Sequence, residues 1–255
     1  VIELKTPGQI AQLRAAGRVV ARALAAVREE AAIGVSLLDL DEVAAAVIKD
    51  AGAQPAFLDY QPSWAPTPYP GVICASVNDA VVHGVPGRTR LADGDLVSID
   101  CGAFVNGWCG DAAISFIVGR PDPADEALVE ATDAALQRGI RAAQAGASLG
   151  DVGHAVGKAA RKAGYGLLAG YGGHGVGRAM HEDPHVPNEG RPGRGFRLRP
   201  GLVIAIEPML IAGGTDDYVT GTDGWTLRTA SGTRAAHSEH TIAITSDGPL
   251  VLTAP

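Results

Sequence analysis

Four acidic residues and one histidine stand at the edges of apolar or glycine-rich runs. They are Asp100 in LVSIDCG, Asp111 shortly after it, His174 in YGGHGVG, Glu207 in LVIAIEPM and Glu239 in SEHTIAI. An ionised carboxylate at the end of an apolar run is unusual, because removing it from water is costly. Asn106-Gly107 is a hairpin signal, and that hairpin returns Asp111 beside Asp100. Two ionised carboxylates at close quarters repel, and a dication resolves the conflict. The plainer alternative is a strand-end Asp and a turn Asp, both solvated. Taken alone, a His among glycines such as His174 is more often a loop residue, and Glu207 is either a strand-end solvent residue or a buried ligand.

Taken together the set favours metal. Two divalent ions carry the charge that four carboxylates cancel. Bridging carboxylates can hold such ions about 3.5–4 Å apart and lower the pKa of a bridging water from about 15.7 towards about 7. The chemistry is then hydrolysis without a covalent nucleophile. Mostly hard oxygen donors with one borderline nitrogen suit Co, Mn, Fe(II) or Zn and do not choose among them. No CxxC pair suggests a structural zinc. GYGGHGVG lacks the Lys-Ser/Thr of a phosphate-binding loop, which excludes that reading.

These residues need elements to hold them. Thr6-Pro7 marks a helix start, and apolar residues at Ile10, Leu13, Ala16, Val20, Leu24 and Val27 give a long amphipathic helix that ends at Ile33-Gly34. A second helix is expected from Leu38 to Ala51, then a proline- and aromatic-rich structured loop over 54–72. Strands are expected over Val72–Val82, Asp95–Phe104 and Trp108–Val118, and helices over 123–145 and 149–164. Residues 165–201 are rich in Gly, Pro and Arg, strands resume at 202–210, 224–229 and 238–245, and 212–223 reads as a turn or loop. Hairpin-joined strands with helices grouped between them make the fold class α+β.

The chain has 255 residues, 46% hydrophobic and 19% charged, and a formal net charge of -7, which disfavours nonspecific nucleic-acid binding. Cys74, Cys101 and Cys109 are an odd number, against a disulfide framework. VIELKTPGQI does not read as a signal peptide, and no run is long and apolar enough for a membrane span, so the expected compartment is cytoplasmic. Arg191, Arg194, Arg197 and Arg199 form one basic loop, expected to be solvated, with a transient contact to ribosomal RNA as its other reading. Asp216 and Asp217 are expected in solvent, and His154 is expected to be structural within its helix.

The ordered strings SVNDAVVHGVP, SIDCGAFVNGWCGDAA, GYGGHGVGRAMHEDP, AIEPM and AAHSEHT resemble those of the methionine aminopeptidases of bacterial type I, in the M24 metallopeptidases. The resemblance runs from the first helix to about residue 250. It implies a pita-bread fold, two pseudo-symmetric α/β halves with a curved antiparallel sheet, and one catalytic domain over 1–255. It implies two divalent metal ions on Asp100, Asp111, His174, Glu207 and Glu239, with Asp111 and Glu239 as bridges and Glu207 also the general acid/base. His181 is implied to polarise the scissile carbonyl, His83 to contact the substrate amide, and Tyr69, Cys74, Met180 and Trp225 to line the methionine pocket. The implied substrates are nascent polypeptides whose initiator methionine precedes a small residue, and the expected state is a monomer.

The chain departs from the family in several places. YQPSWAPTPYP looks like an insertion of about six residues between Tyr60 and Tyr69, with Tyr60 or Trp64 in place of the motif's first tyrosine. Met180 stands where many members have Phe, and Cys109 where many have His. By strand alternation Cys109 faces as Asp111 does and His237 as Glu239 does. The expectation for both is space-filling or solvent, with a role behind the metal ligands as the other reading. Two rivals complete the list: a proline-specific peptidase on the same fold, and a non-catalytic binding relative. The first is disfavoured by the short stretch before Asp100, the second by competent donors at every ligand position.

Overall fold

The computed structural model describes residues 2–254. Helix α1 (Pro7–Glu30) starts at the expected signal: Thr6 and Gln9 cap one another reciprocally, which satisfies two amides that a helix start leaves unpaired. Helix α2 (Leu37–Asp50) is capped the same way by Ser36 and Asp39. Strands β1 (Gln54–Pro55), β2 (Ile73–Val77), β3 (Ala80–Val82), β4 (Leu96–Val105) and β5 (Trp108–Ile117) complete the first half. Helices α3 (Pro123–Ala142) and α4 (Leu149–Lys162) open the second. They precede β6 (Gly166–Leu167), β7 (Gly172–Gly175), β8 (Glu182–Pro187), β9 (Val203–Ile206), β10 (Met209–Ile211), β11 (Tyr218–Thr220) and β12 (Leu227–Thr229). Last come β13 (Ala235–His237), β14 (Glu239–Thr245) and β15 (Gly248–Val251).

The main sheet runs β1-β4-β5-β14-β9-β7-β8, with β2 also on β4 and β15 on β14. Every pairing in it is antiparallel. Strand β14 joins β5 of the first half to β9 of the second. Helices α1 and α2 pack on the first half and α3 and α4 on the second, each pair with its own apolar core. This is the pita-bread arrangement, α+β as expected.

Alternation assigns the faces. Val97, Ile99, Cys101 and Ala103 of β4 and Ala112 and Phe116 of β5 are buried with α1 and α2. Ile204, Ile206, Ile242 and Ile244 are buried with α3 and α4. The intervening residues, Cys74, Cys109, Val203, Ala205 and Ala243, form a third cluster on the opposite face. Asp100, Asp111, Glu207 and Glu239 fall in that second parity, so the helices hold the sheet from behind while the acidic residues face the concave side.

The structure corrects several boundaries. The run expected over 72–82 is two strands, broken where Asn78 takes a φ of 58°. The run over 202–210 is also two, broken at Glu207-Pro208, because proline cannot donate to a ladder. Strands β7 and β8 lie in the Gly- and Pro-rich stretch that carries no strand pattern, and β11 lies in the expected 212–223 loop. Asp216 is not simply solvated: it holds Arg161 through both oxygens at 2.6 and 2.7 Å and accepts the Leu167 amide. His154 is exposed on α4 and packs in no core.

Candidate metal centre

Asn106 and Gly107 have φ of 51° and 74°, the conformation a two-residue hairpin requires, and they set the β4–β5 register. Asp100 pairs with Ala113 and Gly102 with Asp111, so the two aspartates lie diagonally on one face. Glu239 also pairs with Ala113, from the other side. The three carboxylates thus converge around one alanine. The β5–β14 ladder stops at Ala112, and the Thr241 hydroxyl replaces it: it donates to the Asp111 carbonyl at 2.7 Å and accepts the Asp111 amide at 3.3 Å. Asp111 therefore keeps a fixed backbone where the sheet parts.

His174 enters from β7. The flanking glycines serve strand packing: a Cβ on Gly173 would overlap the Ala205 carbonyl, and one on Gly175 the Asp183 carbonyl. The His174 Nδ1–H donates to the Gly175 carbonyl at 2.9 Å, which leaves the Nε2 lone pair facing the carboxylates. Nε2 lies 3.8 Å from Asp111 Oδ2 and 3.5 Å from Glu207 Oε1. Burial, with the His181 ring beside it, lowers the His174 pKa to about 3, so the ring is neutral and competent as a ligand.

The electrostatics favour a cation. Burial pushes Asp100 up to about 7 and Glu207 up to about 8. Asp111 and Glu239 are driven well above the usual carboxylate range by burial first, then by neighbouring carboxylates: Asp100 and Glu207 for Asp111, and Asp111, Glu207 and Asp100 for Glu239. Asp100 Oδ1, Asp111 Oδ1 and Glu239 Oε1 are buried with no hydrogen-bond partner. Ligand atoms of Asp111, His174 and Glu239 lie within 4.8 Å of one another, as do those of Glu207, His237 and Glu239. Unpartnered oxygens and a neutral imidazole at these separations fit divalent metal.

The centre forms one wall of a cavity of about 670 Å³. The same cavity has an apolar lining: Tyr69, Cys74, Met180 and Trp225 are all buried, and Phe57 lines it with them. Tyr69 is fixed by donating to the Ile73 and Gly84 carbonyls, and Trp225 by donating to the Thr67 carbonyl at 3.1 Å. Cys74 pairs with Asp100 in register, and burial pushes its thiol up, so it lines the pocket as a neutral group. At the rim His181 stacks on Tyr60, and its Nδ1 is 3.1 Å from the phenol oxygen. His83 sits at a φ of 57° with Nδ1 buried and unpartnered. The loop between Tyr60 and Tyr69 is pinched shut by Asp59 and Tyr69 and by Tyr69 and Tyr60, and it hangs Trp64 over Trp225 at 5.1 Å.

All five expected ligands meet at one site, and all six expected substrate contacts line the cavity. Cys109 is fully buried and fills space, as expected. His237 is not the filler or solvent residue expected of it: its Nε2 lies inside the site, 3.6 Å from Glu207 Oε2. Alternation gave its direction, but no sequence signal gave its distance.

A curved antiparallel sheet holding buried carboxylates and imidazole beside a pocket with an apolar lining defines a metal-dependent hydrolase. The family described as metallopeptidase family M24 matches residues 11–246. Methionine aminopeptidase 1 of Mycobacterium tuberculosis is 54% identical over 99% of this chain and 95% of its own length. The crystal structure of methionine aminopeptidase from Thermotoga maritima superposes with a TM-score of 0.95 at 40% identity, covering 100% of both chains. Prolidase from Pyrococcus furiosus, 24% identical, shares the fold at a TM-score of 0.80, with 65% of that chain covered. The chain belongs to metallopeptidase family M24, on its methionine aminopeptidase branch.

Proposed function

We propose that residues 1–255 act as one catalytic unit, a cytoplasmic monomer that removes the initiator methionine from nascent chains whose second residue is small. The observation that carries this reading is the juxtaposition of the metal centre with the pocket of Tyr69, Cys74, Met180 and Trp225 in one cavity. That pocket is apolar and polarizable, suited to a thioether side chain. Among the described residues no helix is long and apolar enough to cross a membrane.

Asp100, Asp111, His174, Glu207 and Glu239 would hold two divalent ions, with Asp111 and Glu239 between them. When bound, the ions supply Lewis acidity and a more acidic water. Glu207 takes the proton of the attacking water and passes it to the leaving amine. The Tyr60 hydroxyl lies 3.1 Å from His181 Nδ1; in the tautomer where it donates there, the His181 proton stands on Nε2 and can be given to the carbonyl oxygen as charge develops. The unpartnered His83 Nδ1 meets the substrate amide. The Arg191–Arg199 loop is exposed apart from Phe196 and Leu198 and is the surface for any transient ribosome contact.

The test is release of methionine from Met-Ala-Ser and Met-Leu-Ser peptides. Stripped protein should regain activity with Mn, Fe(II), Co or Zn, cleave only the alanine peptide, and lose activity in Asp111→Asn. Folded, metal-loaded protein that releases no methionine would overturn the reading.

A further inference from the structure

Glu207 stands between two imidazoles. Its Oε1 is 3.5 Å from His174 Nε2, and its Oε2 is 3.6 Å from His237 Nε2. His174 was expected at this centre; His237 was not. His237 is 2% exposed, and its Nε2 is buried without a hydrogen-bond partner. Leaving such an atom unsatisfied costs about 1–3 kcal/mol.

The ring cannot simply turn away. His237 pairs with Met209 in the β10–β13 ladder. Its amide donates to Ser115 Oγ at 3.0 Å, and the same hydroxyl donates back to its carbonyl at 2.8 Å. Ser115 is two pairs from Ala113, the residue around which the aspartates converge. The backbone is therefore fixed relative to the metal centre, and the ring is enclosed at 2% exposure. The 3.6 Å gap is too long for a good hydrogen bond. It falls at the upper end of the roughly 3.0–3.6 Å that separates neighbouring donors sharing one ion with bonds of about 2.1 Å, whichever coordination number the ion takes. Ligand atoms of Glu207, His237 and Glu239 already lie within 4.8 Å of one another.

We propose that His237 is a sixth protein ligand of the centre, binding through Nε2 the ion shared with Glu207 and Glu239. This rests on the reading that the centre holds divalent metal. A second imidazole makes the donor set less purely oxygen, and it raises the preference for zinc, cobalt and iron over manganese.

The test is X-ray absorption on the full chain loaded with two equivalents of zinc, with imidazole scattering counted per chain. Two imidazoles are expected in the wild type and one in His237→Gln, whose thermal unfolding verifies that it is folded. His174→Ala provides the second variant: one imidazole should remain in it. Competition titrations should show His237→Gln weakening zinc by ~10-fold or more and manganese by less. One imidazole in the wild type, or an unchanged count in folded His237→Gln, overturns the proposal even if affinity falls, since a residue that merely orients Glu207 would lower affinity without changing the count. A wild type that binds no divalent ion overturns the metal-centre reading itself.

Discussion

The phenol oxygen of Tyr60 lies 3.1 Å from Nδ1 of His181, and the two rings stack with centroids 5.6 Å apart. A neutral imidazole that accepts at one nitrogen must carry its proton on the other. Tyr60 is therefore a positioning residue for His181. Tyr60→Phe keeps the ring stack and removes only the hydroxyl. Its kcat on Met-Ala-Ser should fall about 10-fold, less than the 10²–10³ that loss of an oxyanion donor costs, with KM little changed. The ¹⁵N shifts of His181 should move from one tautomer towards a mixture. A lowered kcat with unchanged shifts would remove the tautomer explanation.

Metal-free protein should lose stability as pH rises from 6.5 to about 8. Folding raises Asp100 to about 7 and Glu207 to about 8. The folded chain thus holds protons that the unfolded chain has released, and stability falls with pH through that range. His83 and His174 act oppositely, since folding lowers them to about 4 and about 3. Their contribution grows as pH rises to about 6.5, where the unfolded histidines also become neutral, and is level above it. Denaturation midpoints with chelator present should fall between pH 6.5 and 8, and saturating metal should flatten the slope. Midpoints that rise with pH would mean that the carboxylates are ionised without metal.

Helix α1 lies directly on β5. A Cβ on Gly110 would come within 2.6 Å of the Gly17 amide nitrogen, a backbone atom that cannot rotate aside. Gly110→Ala should destabilise the protein by about 1–3 kcal/mol through overpacking. At ~2–4 °C per kcal/mol for a chain of this size, calorimetry will resolve the shift. Because Gly110 neighbours Asp111, metal affinity should fall with it. An unchanged melting temperature would show that α1 can ride further from the sheet.

The metal ligands were legible because each breaks its surroundings. Asp100 ends an apolar run, Asn106-Gly107 fixes the return of Asp111, and glycines bracket His174. Strands β7 and β8 were not legible. Their glycines are demanded by neighbouring backbone, and glycine erases the alternation that marks a strand. His237 shows a different gap: period two gives the face of a side chain, while the distance to Glu207 depends on β13 and β9, which belong to different sheets. The Tyr60–His181 contact spans 121 positions, and no local pattern encodes it.

Strand β14 follows both halves in the chain yet lies between them in the sheet. During synthesis the first half can close its hairpin and core early, and the second can pair its two helices. The main sheet cannot close across the two halves until β14 has emerged, and β14 brings Glu239 with it. The last donor of the centre and the last structural seam therefore arrive in one step. A ribosome-bound chain that stops short of β14 has no assembled site, so the enzyme becomes competent only once β14 has been made and seated.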